Sequence, residues 1–184
     1  MMSLSWDTTS GIVIIAPAAT VPQAAEAAAA GAQLVDVGGA GELIPAIRAQ
    51  TGAGICADGA GPGRPEADVV RDASVAKRSG AALICADVDA AAAAVRIGIP
   101  AGMIAVQTAP AGIEAVRQAG WTVLVDLESW ADSPAHTQAV AAVCVWLGAS
   151  AIRTPHVAAI RRSADMTEAI LGRRPPARAV RGLA

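Results

Sequence analysis

Gly31-Ala32-Gln33-Leu34-Val35-Asp36-Val37-Gly38-Gly39 carries the pattern from which the fold of this 184-residue chain is read. A glycine stops the Ala-rich stretch before it, an apolar run follows, an aspartate interrupts that run, and two glycines close it. This is the order helix end, short strand, loop. The same grammar recurs downstream. Ile55-Cys56-Ala57-Asp58, Leu83-Ile84-Cys85-Ala86-Asp87 and Val123-Leu124-Val125-Asp126 also end in aspartate, and Ala151-Ile152-Arg153 ends in arginine. The runs are apolar throughout, as strands covered on both faces are. Strands are predicted over residues 11–15, 33–37, 54–58, 82–87, 101–107, 121–126 and 151–154.

Helices are predicted between them, over residues 22–30, 42–50, 66–79, 90–96, 110–119, 137–147 and 158–171. Thr20 is the expected N-cap of the first, Gly31 its stop, and Pro110 stands in a favoured first turn. Strictly alternating strands and helices give an α/β fold, a parallel TIM-like barrel. Seven strand–helix units are countable where a full barrel has eight, so a reduced strand number stays open. Residues 1–172 are expected to form one domain, and the basic stretch 173–184, with Pro175-Pro176, a flexible tail. In a parallel barrel the strand carboxyl ends share one face, where sites are built. Four aspartates and one arginine on that rim are the main functional clue.

Composition narrows the chemistry. A formal charge of −2 offers no electrostatic footprint for nucleic acid or an anionic membrane. No stretch reads as a signal peptide or a membrane span, so a cytoplasmic protein is expected. The chain has no Phe, Tyr or Asn, and Lys77 is its single lysine. A stacked ligand could therefore lean only on tryptophan or on an Arg plane. Trp130, just past the Asp126 strand, is the candidate; Trp121 and Trp146 are expected in the core. Cys56, Cys85 and Cys144 lie in apolar runs without metal-type spacing and read as small buried hydrophobes. The Gly/Pro-rich residues 59–65, with Arg64, form either a lid over the rim or a plain connector. They are no P-loop, because no Gly-Lys-Ser/Thr follows. The charges of residues 66–78 read as one solvated helix face.

Each rim aspartate has two readings, ligand contact or cap of the following helix. Paired carboxylates could accept hydrogen bonds from the amino and ring N–H groups of a planar heterocycle. They could also hold Mg²⁺, and no spacing decides between the two. Arg153 reads as an anion ligand or as the ion-pair partner of a rim aspartate. His156, after Pro155, is a candidate acid–base group because its pKa lies near neutrality, as is His136; each also reads as a surface loop histidine.

Gly31 to Gly39 resembles the second strand of dihydropteroate synthases, where a "GA-x-hydrophobic-D-hydrophobic-GG" segment recurs. Gly148-Ala149-Ser150-Ala151-Ile152-Arg153-Thr154-Pro155-His156-Val157 resembles their last strand, and the apolar helix before it their penultimate helix. The likeness runs from about Gly11 to Gly172. It implies a pterin site at the rim. Asp58 would contact the pterin ring, Arg153 would hold the leaving pyrophosphate, and Asp36 would stand beside the anion and metal region. Asp87, ending the next predicted strand, would match the aspartate after the pterin-binding Asn, with Ala86 where that Asn should be.

Departures from the pattern are equally specific. Ile15-Ala16-Pro17-Ala18 stands where the family's first loop should be, and Ala40-Gly41-Glu42-Leu43-Ile44-Pro45 replaces the loop that would help bind p-aminobenzoate. Asp126-Leu127-Glu128-Ser129 replaces a Ser-Arg-Lys strand end, and Val106 or Gln107 replaces a sixth-strand aspartate. Lys77, on a predicted helix, does not supply the missing lysine. The family reaction, displacement of pyrophosphate from a pterin methyl carbon by an arylamine, needs an anion cradle, a cation and ordered loops. The expectation is therefore a divergent, shortened relative that binds a pterin-like or phosphorylated small molecule through Asp36, Asp58, Asp87 and Arg153, without the ordinary synthase activity. The alternative is an enzyme with altered acid–base chemistry carried by His156, Asp126 and Glu128. An apolar flank left by the outer helices would be covered in a homodimer.

Overall fold

The computed structural model describes residue 6 and residues 11–59, 67–130 and 133–174. Eight parallel strands close into a barrel in sequence order. They are β1 (Val13–Pro17), β2 (Leu34–Asp36), β3 (Gly54–Ala57), β4 (Val69–Val70), β5 (Ala82–Cys85), β6 (Ile104–Thr108), β7 (Thr122–Asp126) and β8 (Ala151–Arg153). Pairing of β1 with β8, Ile15 opposite Arg153, closes the ring. Outside lie α1 (Val21–Ala29), α2 (Ile44–Gln50), α3 (Ala73–Ser79), α4 (Val88–Arg96), α5 (Ile113–Gln118), α6 (Pro134–Leu147) and α7 (Val157–Ile170). Thr20 caps α1 as expected, its hydroxyl accepting from Gln23 N, and Gly31 follows with φ +101°.

The eighth strand is β4, inside the stretch read as a helix over residues 66–79. Only two valines mark it, between Asp68 and the pair Arg71-Asp72, so charge spacing imitated an amphipathic helix. Tertiary bonds make it a strand: Asp68 N–H donates to Ile55 O at 2.9 Å and Asp68 Oδ2 accepts from Ile55 N at 2.8 Å. Both valines are buried. The helix itself starts after Asp72, whose carboxylate caps it through Ser74 N and Val75 N.

The pleat sorts the apolar strands into two cores. Leu34, Cys56, Val69, Ile84, Ala105, Leu124 and Ala151 fill the barrel interior, while Val35, Ile55, Val70, Leu83, Val106, Val125 and Ile152 pack under the helices. Several inward positions are alanine, and Trp6 supplies the missing volume. Its indole is 4% exposed, belongs to the interior cluster, and donates to Met103 O at 3.2 Å, at the amino end of β6. Gly54 lets the neighbouring strand approach closely: a Cβ there would lie 2.6 Å from Leu34 Cδ2, and the leucine would have to shift.

All three cysteines are buried and free, as expected. Burial pushes the Cys85 and Cys144 thiols up to about 11, so they are inert hydrophobes. Trp146 is not in the core. It is 57% exposed on α6 with Val143 and Leu147, beside exposed Met166 and Ile170 on α7. The two helices pack against each other, and each leaves apolar side chains exposed. Trp121 is partly buried against the core. Residues 60–66, which include Arg64 and the start of the predicted 66–79 helix, and residues 175–184 of the predicted tail lie outside the described residues. No described helix is long and apolar enough to cross a membrane.

Candidate functional site

Inward-pointing residues repeat every second position along a strand. Carried one step past each interior side chain, that period places Asp36, Asp58, Arg71, Gln107, Asp126 and Arg153 on the same rim, above the barrel interior. Asp126 and Arg153 are direct register partners on β7 and β8. The layer is polar because it is the last one, open to solvent at the strand carboxyl ends.

Asp36 is its centre. Its side chain is only 2% exposed and lies between two guanidiniums. Arg71 grips it bidentately, Nη2 to Oδ2 at 2.8 Å and Nη1 to Oδ1 at 3.2 Å. Arg153 Nε donates to Oδ2 at 2.8 Å, and Gly38 N–H to Oδ1 at 3.1 Å. Burial pushes the Asp36 carboxyl upward, but the hydrogen bonds and charge of Arg71 with the bond from Arg153 outweigh it and hold it below the usual carboxylate range. Both guanidiniums are buried enough to be disfavoured as cations, yet their carboxylate partners raise their pKa values above the ordinary arginine value.

Three more carboxylates stand outside this pair. Arg71 Nη1 reaches Asp58 Oδ1 at 3.0 Å, with Asp58 58% exposed. Arg153 Nη1 reaches Asp126 Oδ2 at 3.4 Å and also meets Glu128 Oε2. Gln107 Nε2, at the end of β6, donates to Asp126 Oδ2 at 3.2 Å. Glu128 N–H closes a turn on Asp126 Oδ1 at 2.9 Å. Four carboxylates thus share two guanidiniums, leaving a rim with excess negative charge. Trp130 follows Glu128 in a 3₁₀ turn, half-exposed, with its ring 6.0 Å from that of His136. Cys56 beneath Arg71 is buried and its thiol is pushed up to about 12, chiefly by burial and then by the Asp36 charge.

Two of the residues singled out from sequence fall elsewhere. Asp87 lies two residues past the end of β5, one position out of phase with inward-facing Ala82 and Ile84. It therefore turns toward the helix layer and caps α4, Oδ1 accepting from Ala90 N at 2.7 Å. With β4 present, Asp87 comes after the fifth strand, and the strand that follows Asp58 runs into Arg71-Asp72. His156 sits at the N-cap position of α7, its N–H donating to Thr154 Oγ1 at 3.1 Å. It lines a cleft of about 500 Å³ between α1 and α7 with Gln23 and Arg162, beside the ring rather than in it. Lys77 lies exposed on α3, away from the rim.

Arg71 is the residue that sequence reading passed over. Its signal was available: from inward Val69, two residues on is Arg71. The donor set also bears on metal. Asp36 accepts four hydrogen bonds, which uses the lone pairs of a carboxylate. Among the described residues no group of three His, Cys, Asp or Glu is disposed to hold a metal ion. As arranged, Asp36 does not fit Mg²⁺ ligation, which needs free oxygen donors.

No family model matches the chain, and no curated protein sequence matches it. Solved structures do. Mycobacterium tuberculosis Rv1207 is similar at 22% identity with TM-score 0.71, covering 90% of this chain and 94% of that one. Dihydropteroate synthase from Xanthomonas albilineans, in complex with 7,8-dihydropteroate, is similar at 15% identity with TM-score 0.77, covering 90% and 95%. The 7,8-dihydropteroate synthase of Vibrio fischeri is similar at 14% identity with TM-score 0.75, covering 91% and 96%. At such identities the likeness is one of fold, and the chain has the barrel fold of the dihydropteroate synthases.

Proposed function

We propose that this barrel binds a planar, donor-rich heterocycle of the pterin kind at its acidic rim and does not perform the ordinary dihydropteroate synthase condensation. The carrying observation is the ring around Asp36. Its inner pairs fix Arg71 and Arg153, while the Asp58 and Glu128 carboxylates stay open to solvent as acceptors. Amino and ring N–H groups of a pterin are complementary to such acceptors. The likeness to a synthase solved with 7,8-dihydropteroate supports the same ligand class.

The second half of the proposal follows from charge. Both rim arginines are already engaged by carboxylates, and the seventh strand ends in Asp126. A pyrophosphate approaching there meets net negative charge rather than a cation cradle. Asp58 is the contact residue, Arg71 its positioning partner. The test is calorimetric titration of the whole chain with 7,8-dihydropterin, pyrophosphate and inorganic phosphate. Pterin should bind, and Asp58→Asn should weaken it about 10–100-fold, the value of hydrogen bonds to a charged group. Equal pterin affinity in Asp58→Asn, or preference for pyrophosphate, refutes the pterin site. Turnover of pterin pyrophosphate and p-aminobenzoate to dihydropteroate refutes the loss of activity. For assembly, we propose a homodimer across the apolar α6–α7 flank.

A further inference from the structure

A strand of two valines carries Arg71 to the rim, and nothing in those valines fixes its register. Val69 and Val70 pair with Cys56 and Ala57 on β3 and with Ala82 and Leu83 on β5. A one-residue slip turns every side chain of a strand to the opposite face of its sheet. In most strands such a slip exposes apolar groups and buries polar ones. In β4 it exchanges one valine for another, so apolar packing is indifferent to it. The rim is not. Advanced by one residue, β4 would bring Asp72 to the place of Arg71 beside Asp36. The bidentate clamp would then become a pair of like charges.

Asp68 tells the two registers apart. It directly precedes β4 and faces away from the rim pair. The period of two puts Val69 and Arg71 inward, and Asp68 and Val70 toward the helix layer. Its N–H donates to Ile55 O at 2.9 Å, and its Oδ2 accepts from Ile55 N at 2.8 Å, so one residue grips both backbone groups of another. Its own carbonyl accepts from Ala82 N on β5 at 2.9 Å. Arg48 Nη2, from α2, reaches the same Oδ2 at 3.0 Å, and the Asp68 side chain is only 9% exposed. In the slipped register Val69 would stand opposite Ile55 and offer its N–H no side-chain acceptor. Ile55 is fully buried, so that donor would be left unpaired, which is costly.

We propose that Asp68 is the register pin of β4 and thereby the positioning residue of the Arg71–Asp36 clamp. It acts through the backbone of β4, from the opposite face of the sheet. Arg71 has a long, flexible side chain, and its bidentate grip on Asp36 holds only if its backbone is placed for it. The role concerns the clamp itself and stands whatever ligand the rim takes.

The test removes the carboxylate from the full chain in two ways. Asp68→Ala is the simpler, and Asp68→Val keeps a strand-favouring side chain in case the first does not fold. Both are compared with Asp68→Asn, whose amide oxygen still accepts from Ile55 N. Two measurements read the clamp apart from general stability. By NMR of isotope-labelled protein, the Arg71 guanidinium N–H signals should be resolved in wild type and in Asp68→Asn, as for a group held bidentately. They should be averaged by rotation in Asp68→Ala or Asp68→Val. In a double-mutant cycle followed by urea unfolding, Asp36→Asn should cost a carboxylate-free variant at most half of what it costs wild type. In Asp68→Asn it should cost the full amount. Sites that act independently give additive losses instead. Resolved Arg71 signals or additive losses in a carboxylate-free variant would make Asp68 a structural residue only and overturn the proposal. So would averaged Arg71 signals in Asp68→Asn.

Discussion

Replacing Asp36 by Asn tests whether the rim network is held together from its buried centre. The change keeps volume and removes one negative charge from between two guanidiniums. It also points an NH₂ group at a donor, because both carboxylate oxygens accept N–H bonds. Breaking a buried ion pair by removing one partner costs about 3–5 kcal/mol. Arg71 and Arg153 are 27% and 15% exposed and keep their outer carboxylates, which places the expected loss at the lower end. A loss of about 3 kcal/mol corresponds to about 6–12 °C in Tm for a chain of this size. Urea unfolding followed by tryptophan fluorescence reads it. Asp58→Asn, at a 58% exposed position, is the control and should cost less than about 1 kcal/mol. The same variant has a pH signature. Because the folded pKa of Asp36 is depressed, its stabilisation is complete above the unfolded value of about 3.9 and is lost as pH falls through the folded value. The gap between wild type and Asp36→Asn should therefore be full at neutrality and shrink below about pH 4. A loss under about 1 kcal/mol, or a gap that does not change in acid, would refute a network organised on Asp36.

Two other outcomes are expected. Trp6→Ala should destabilise by about 3–5 kcal/mol in urea unfolding, because the indole fills a barrel interior otherwise lined at several positions by alanine; a loss under about 1 kcal/mol would mean the barrel packs without it. Light scattering should give twice the chain mass, with Trp146→Glu giving the single mass, because Val143, Trp146, Leu147, Met166 and Ile170 leave an apolar flank uncovered; a monomeric wild type would refute the dimer.

The strand ends were legible because apolar runs broken by Asp or Arg are short and bounded by glycine, so their position scarcely depends on context. Asp36, Asp58, Asp126 and Arg153 fall on one rim for that reason. The role of each charge was not legible from run ends alone. Asp87 ends an apolar run as the others do, yet it is out of phase by one residue and caps a helix. Arg71 looked like part of a helix face and is instead a rim cation, because a strand of two valines has too little sequence to show a period. Trp146 looked like core and is exposed, since a helix apolar on most sides does not say which side faces the barrel.

By itself, the sequence determined the strand–helix alternation, the parallel barrel and the acidic character of its rim. Local pattern suffices there, because strands buried on both faces and Gly-stopped helices are written residue by residue. Tertiary structure alone decided the closure at eight strands, the use of Trp6 as interior filling, and the partition of the rim into a buried Asp36 clamp and exposed carboxylates. Those depend on which way each side chain points and on what meets it from a distant strand, and no segment of the chain contains that information on its own.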